Sequence, residues 1–170
     1  MSELKTQAEG KNTKEGKAQY LIFSLGHESY GIELLKNKEV INVPELTSVP
    51  YTENYVLGVA NLRGQIIPVI DLKCKLGIAT ETSPIKAQYK VIVVEINSPQ
   101  KIQLGLLVDG IRNVEAIAQN EIEELSENNK KHHKQEYVKG VYSYEDNLAL
   151  LIDIEKLIME DIKKEDKNAG

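Results

Sequence analysis

Tryptophan is absent from this 170-residue chain, phenylalanine occurs once, at Phe23, and cysteine once, at Cys74. A lone thiol forms no internal disulfide, so no disulfide framework holds the fold, and Cys74 reads as a small packing residue in a reducing compartment. The scarcity of large aromatics removes most of the platforms that stack unpaired bases, although eight tyrosines are present. Cationic side chains are outnumbered, 21 Lys and Arg against 26 Asp and Glu, for a formal charge of −5. A partner bound by phosphate neutralisation needs clustered Lys and Arg, so nucleic acid is not an expected partner. No apolar run approaches the roughly 20 residues that span a bilayer. The opening MSELKTQAEGKNTKEGK is polar where a signal peptide needs an apolar segment, so the expected compartment is the cytoplasm, with no insertion into the membrane.

The materials of catalysis are as thin. Of three histidines, His27 lies in a solvated turn, GHES, and His132 and His133 lie in KKHHKQE, where lysine charges repel a cation and no Cys or carboxylate pattern completes a metal site. Cys74 has no histidine at a motif spacing, which argues against a thiol nucleophile. Neither G-x-G-x-x-G nor G-x-x-x-x-G-K-[ST] occurs, so there is no phosphate cradle of those kinds. The reading is a protein without catalytic residues, metal or cofactor.

What the chain does have is short β-rich runs. YLIFSL (20–25), SYGIEL (29–34) and KEVINV (38–43) are separated by polar or Gly-containing turns, and GVANLR and QIIPVID continue the series. Pro68 within the last run points to an edge or first-residue position, because proline cannot donate to a ladder. The second half repeats the path with YKVIVVEI (89–96), QLGLLVD (103–109), IRNVEAI (111–117), GVYSY and LALLID. Laid on residues 55–72 without gaps, residues 137–154 keep Tyr, Val, Gly, Val, Ile and Asp at six of 18 positions. Upstream, Gly31 and Val40 fall on Gly105 and Val114. This is the signature of an internal duplication of a five-strand unit. A unit of that size buries only about 60% of its unfolded surface, so the two should support each other. Short, evenly spaced strands predict small closed barrels, which leave no exposed edge.

Asp71 and Asp153 hold matching places. The pattern predicts helix caps rather than paired catalytic carboxylates, with a short helix from Asp71 to about Gly77 and a longer one over 153–163 that packs between the units. IATETSPIKAQ is the expected linker. The boundaries that follow are a mobile tail at 1–18, one domain over 19–163 with subdomains near 19–77 and 89–152, a loop at 126–136 and a mobile tail at 164–170.

Arg63 stands apart, in NLRG between two apolar runs, and the second copy lacks it. An exposed arginine at a turn usually means little, since surface pairing is worth about 0–1 kcal/mol. Here Gly58 and Gly64 leave room for close approach, and Leu62 sets an apolar side chain beside a rigid guanidinium fork. An arginine flanked by apolar residues is a favoured interface anchor. A competing reading is a small-ligand or anion-sensing module, with Arg63 gripping a carboxylate in a pocket between the barrels.

FSLGHESYGIELLKNKEVI followed by TSVPYTENYVLGVANLRGQIIPVIDLKCKLG resembles the CheW family of bacterial chemotaxis coupling proteins, over about Tyr20 to Ile158. The resemblance implies a mostly β fold of two intertwined five-stranded SH3-like β-barrels with a C-terminal helix. It implies a non-catalytic adaptor between the cytoplasmic tips of methyl-accepting chemotaxis receptors and the regulatory domain of the histidine kinase CheA, assembled into arrays. Carried over by motif position, Gly58, Asn61, Leu62, Arg63 and Gly64 are receptor-binding, with Glu39 nearby, and Val40 and Val43 belong to a kinase-facing apolar patch. Asn37 departs from the family pattern, which has an apolar residue there, and would redraw part of that patch. The same module also occurs in CheA itself and in coupling–receiver fusions, from which the length of this chain is expected to set it apart.

Overall fold

Alternation of apolar residues along short β-branched runs makes strands with two usable faces, and in this chain many strands pack residues of both faces against apolar clusters. The structure, a computed structural model, describes residues 16–34, 37–50, 52–79, 81–97, 100–125 and 137–159, with the side chains of residues 37 and 38 excepted. The expected tails up to residue 15 and from 164, the loop at 126–136, His132 and His133, the side chain of Asn37 and the last turns of the C-terminal helix lie outside the described residues. The strands are β1 (Lys17–Leu25), β2 (Glu28–Glu33), β3 (Asn37–Asn42), β4 (Val56–Leu62), β5 (Gln65–Asp71), β6 (Lys90–Asn97), β7 (Lys101–Val108), β8 (Gly110–Ala118), β9 (Val138–Tyr144) and β10 (Asn147–Ile152). A short helix α1 (Leu72–Lys75) follows β5, and α2 (154–159) follows β10. Residues 17 and 18 are strand rather than tail, because Lys17 and Ala18 pair with Ala118 and Ile117 of β8.

The strands form two five-stranded sheets, ordered β8-β1-β2-β10-β9 and β3-β6-β7-β5-β4. The expected split into contiguous subdomains, 19–77 and 89–152, is therefore corrected. Each sheet combines the first two strands of one half of the chain with the last three of the other half, and the two orders are the same when the halves are interchanged. Parallel pairs make the exchange: Leu151 lies opposite Gly31 where β10 meets β2, and Val69 opposite Gly105 where β5 meets β7. A Cβ on Gly31 would sit 2.8 Å from Leu151 Cδ2, and one on Gly105 would sit 2.7 Å from Val91 Cγ1. The duplicated glycines thus open the space into which side chains from neighbouring strands pack.

Each sheet closes on itself. Beyond β3, Thr47 exchanges both backbone hydrogen bonds with Val59 of β4, at 2.9 Å each. Glu123, beyond β8, does the same with Val141 of β9, at 2.9 and 2.8 Å. The first barrel, built on β8, β1, β2, β10 and β9, encloses Tyr20, Ile22, Ile117, Tyr142, Ala149 and Leu151. The second encloses Ala60, Ile67, Val69, Tyr89, Val91, Val93 and Leu107. The intervening residues of the same strands, among them Leu21, Phe23, Ile92 and Val94, face a third cluster shared by both barrels, to which Ile154 and Leu157 of α2 contribute. Fully burying each such side chain is worth about 1.5–3 kcal/mol, so the shared cluster binds the halves as firmly as either barrel interior.

The predicted caps are present. The Asp71 side chain accepts from the Lys73 N–H at 3.1 Å, and that of Asp153 accepts from the Lys156 N–H at 3.2 Å. Pro68 corrects its expectation, since β5 lies between β7 and β4. Its ladder partner Val59 spends both backbone groups on Thr47, and the parallel pairing with β7 begins only at Val69, so the missing N–H interrupts no bond on either side.

Candidate functional site

The β4–β5 hairpin turns on two residues. Leu62 and Gln65 are the last pair, and Arg63 and Gly64 between them have φ of 53° and 83°. Two successive positive φ values make the type I′ turn whose twist matches that of the flanking strands. Arg63 occupies a conformation that favours Gly, Asn or Asp, at a cost of order 1–2 kcal/mol. The Asn61 side-chain oxygen accepts the Gly64 N–H at 3.0 Å and braces the turn.

Arg63 is held outward. Its side chain is 70% exposed, and Nη2 lies 2.6 Å from Oε2 of Glu39, whose side chain is 14% exposed. Glu39 is on β3, the opposite end of the sheet order from β4, so the pair lies across the seam where this barrel closes. An exposed partner adds little stability, but a fork fixed at one corner keeps its other donors aimed at solvent with less rotamer freedom to lose. Beside it, Ile66 lies opposite Asn61 in the register and is 65% exposed. A shallow groove of about 460 Å³ runs from Ile66 and Gln65 past Glu95, Lys101 and Gln103.

Asn61, Arg63, Gly64 and Glu39 thus come together, and four other sequence-based expectations change. Leu62 points inward and packs against the interior of its own barrel, so the exposed apolar neighbour of the guanidinium is Ile66. Gly58 is structural: its φ is +146°, and a Cβ there would lie 2.4 Å from the Thr47 carbonyl oxygen. Val40 is 3% exposed in the shared cluster and forms no open patch, while Val43 is half-buried with part of its side chain against the barrel interior. In β3, Val40 faces the shared cluster and the half-buried Ile41 the barrel interior, so an apolar residue there does not by itself mark a surface.

In the second copy the same turn recurs with the charge reversed. Glu145 and Asp146, with φ of 44° and 64°, stand between the paired Tyr144 and Asn147. Leu148 takes the place of Ile66 at 63% exposure. The clasp on that barrel comes from another residue: Lys139 of β9 bonds Glu33 and, at 2.8 Å, the Tyr20 hydroxyl.

The remaining candidates form no reactive centre among the described residues. Burial raises the Cys74 thiol pKa, and Asp71 beside it raises it further, so the thiol stays protonated; Cys74 is half-buried rather than a core residue. Burial also raises the Asp71 carboxyl, while the N–H groups of Lys73 and Cys74 pull it back. No three His, Cys, Asp or Glu side chains among the described residues are placed to hold a metal. No described helix is long and apolar enough to cross a membrane. A pocket between the barrels does exist, but Arg63 does not line it, which removes the expected grip on a carboxylate there.

Two exchanged barrels that hold out a pinned guanidinium and an apolar neighbour define a binding module. The comparisons with known proteins say which one. The family model described as CheW-like domain matches residues 19–161, and the chain belongs to the CheW family. It is 32% identical over 140 residues to the chemotaxis protein CheW of Klebsiella aerogenes, covering 82% of this chain and 81% of that protein. It is 31% identical to the chemotaxis protein CheW of Helicobacter pylori, covering 84% and 82%. The crystal structure of the scaffolding protein TtCheW from Thermoanaerobacter tengcongensis superposes with a TM-score of 0.72 at 31% identity, covering 83% of this chain and 87% of that one.

Proposed function

We propose that this chain is a non-catalytic chemotaxis adaptor that joins the cytoplasmic tips of chemoreceptors to the regulatory domain of the kinase CheA, in the cytoplasm, within an array. The observation that carries the reading is the β4–β5 tip, where a 70% exposed Arg63 is steadied by a nearly buried Glu39 next to an exposed Ile66. Arginine beside a rigid apolar residue is the composition of an interface anchor. The receptor tip is its proposed partner, with Asn61 and Gly64 shaping the turn. Val40 serves any kinase contact only from inside, by holding β3 in place, whereas the half-buried Val43 just beyond β3 keeps part of its side chain available to it. Each interface is expected to be of ordinary size or smaller, about 800 Å² per partner, and an array gains strength from many linked contacts.

Co-sedimentation with a receptor-tip fragment and with the kinase regulatory domain, separately and together, tests the proposal. Arg63→Glu reverses the charge at the tip and faces Glu39 with a second carboxylate. Receptor-tip binding should fall by tenfold or more, on the scale of about 2 kcal/mol for an anchor residue, while circular dichroism stays that of the parent. A folded Arg63→Glu variant that sediments with the tip fragment as the parent does would sink the placement.

Ile66→Ser separates display from stability. With the side chain mostly in solvent, unfolding should change by no more than about 0.5 kcal/mol. Receptor-tip binding should weaken severalfold, and equal binding would assign the exposed isoleucine to no contact at this site.

A further inference from the structure

At the junction of the barrels a pocket of about 460 Å³ is lined by His27 of the β1–β2 turn, Lys73 of α1, Ser83 and Lys86 of the segment joining the halves, Tyr89 and Asp109. Its single lining carboxylate is already committed. Asp109 Oδ1 lies 3.1 Å from Lys73 Nζ, and Oδ2 accepts the Gly26 N–H at 2.8 Å. Lys73 is committed with it, 15% exposed and 5.3 Å above the Tyr89 ring. His27, Ser83 and Lys86 are different: their side chains make no hydrogen bond or ion pair among the described residues. With Lys73 and Asp109 compensating each other, the exposed Lys86 leaves this concavity one net positive charge, on a chain whose net charge is −5, and the exposed His27 and Ser83 add neutral donors. A concave wall of low polarisability strengthens such a field.

We infer that this pocket is a binding site for a small oxyanion, a phosphate or a carboxylate compound. Lys86 supplies the charge, His27 an imidazole N–H and Ser83 a hydroxyl, while the Lys73–Tyr89 stack forms a stiff wall. The volume suits a small organic molecule. An isolated exposed lysine is ordinarily only solvated. The distinguishing feature here is that Lys86 and Ser83, on the segment joining the halves, line one pocket with His27 of the β1–β2 turn. The site spans both barrels, because His27 belongs to the β1–β2 turn of one and Tyr89 precedes β6 of the other. An anion held between them ties the two together, and a ligand that binds only the folded state raises the melting temperature. This site is independent of the proposed contact at Arg63, which lies on another surface element.

The test is thermal melting of the full chain against inorganic phosphate and, separately, citrate, with sodium chloride holding the ionic strength constant. The parent should show a saturating rise in Tm with at least one of the two. In Lys86→Gln the half-saturating concentration should increase by about tenfold, as for loss of a charge-assisted hydrogen bond, and His27→Gln should move it in the same direction. Saturation with phosphate alone identifies a phosphate site, and with citrate alone a carboxylate site. Kosmotropic anions stabilise proteins without binding, so a rise that does not saturate, or that is identical in the parent and Lys86→Gln, overturns the inference, as does no rise at all.

Discussion

Cut within the joining segment at residue 80 and produced as two chains, neither half should show a cooperative unfolding transition, and mixing the two should restore one. Among the described residues, eight strand pairs hold the structure. The pairs that survive within a half are hairpins, β1–β2 and β4–β5 in one, β6–β7 and β9–β10 in the other. The remaining pairs, β1–β8, β3–β6, β2–β10 and β5–β7, all cross between halves. A separated half is thus two hairpins and an orphan strand, and an isolated hairpin is marginal in water. Its apolar faces fare no better: Leu151 and Ala149 leave Tyr20 and Ile22, and Val91 and Leu107 leave Val69 and Ile67. Far-UV circular dichroism and amide-proton dispersion on each fragment and on the mixture measure this. A cooperative melt from either fragment alone would mean that the exchanged strands are dispensable, against the whole logic of the shared core.

That logic was only half legible in the sequence. The repeat is local information: Gly31 and Gly105, Val40 and Val114, and the matched Asp71 and Asp153 can be aligned by eye, and each marks an equivalent place in the structure. Turn chemistry is local too, so the NLRG hairpin, its φ-positive tip and both aspartate caps could be read. Which strand pairs with which is not local. The parallel pairings of β10 with β2 and β5 with β7 join residues over a hundred and over thirty positions apart, and nothing in a five-strand repeat says whether copies fold singly or exchange strands. Surface and core were confused where a strand packs apolar residues of both faces. In β3, Val40 faces the shared cluster and Ile41 the barrel interior, so an apolar residue there carries no sign of exposure. Ile66 could have been found. Ile67 and Val69 must share one face of β5, which sends Ile66 and Pro68 to the other, and that step of two was available in QIIPV. The charge reversal at Glu145 is also plain in the alignment, although its meaning as the same turn needed the backbone angles.

The second large effect belongs to a glycine that the motif places beside Arg63. Gly58→Ala should lower unfolding stability by about 3 kcal/mol, the sum of a conformation that essentially only glycine adopts and a clash with main chain. With φ at +146°, the new Cβ would fall 2.4 Å from the Thr47 oxygen. That oxygen cannot withdraw freely, because it accepts the Val59 N–H at 2.9 Å in the bridge that closes the barrel. Relief therefore opens the seam between β3 and β4, and the seam is what keeps Glu39 within reach of Arg63. Gly140 is the internal control: its φ is +156°, and a Cβ there would lie 2.6 Å from the Glu123 oxygen. Gly140→Ala should cost similar stability while leaving the Arg63 tip unaltered. Denaturant titration measures both losses, and receptor-tip sedimentation below the transition separates them: Gly58→Ala should bind more weakly than its folded fraction explains, and Gly140→Ala should not. Equal binding deficits in the two would mean that Gly58 influences the partner only through global stability, and that the Glu39–Arg63 seam has no part in presenting the tip.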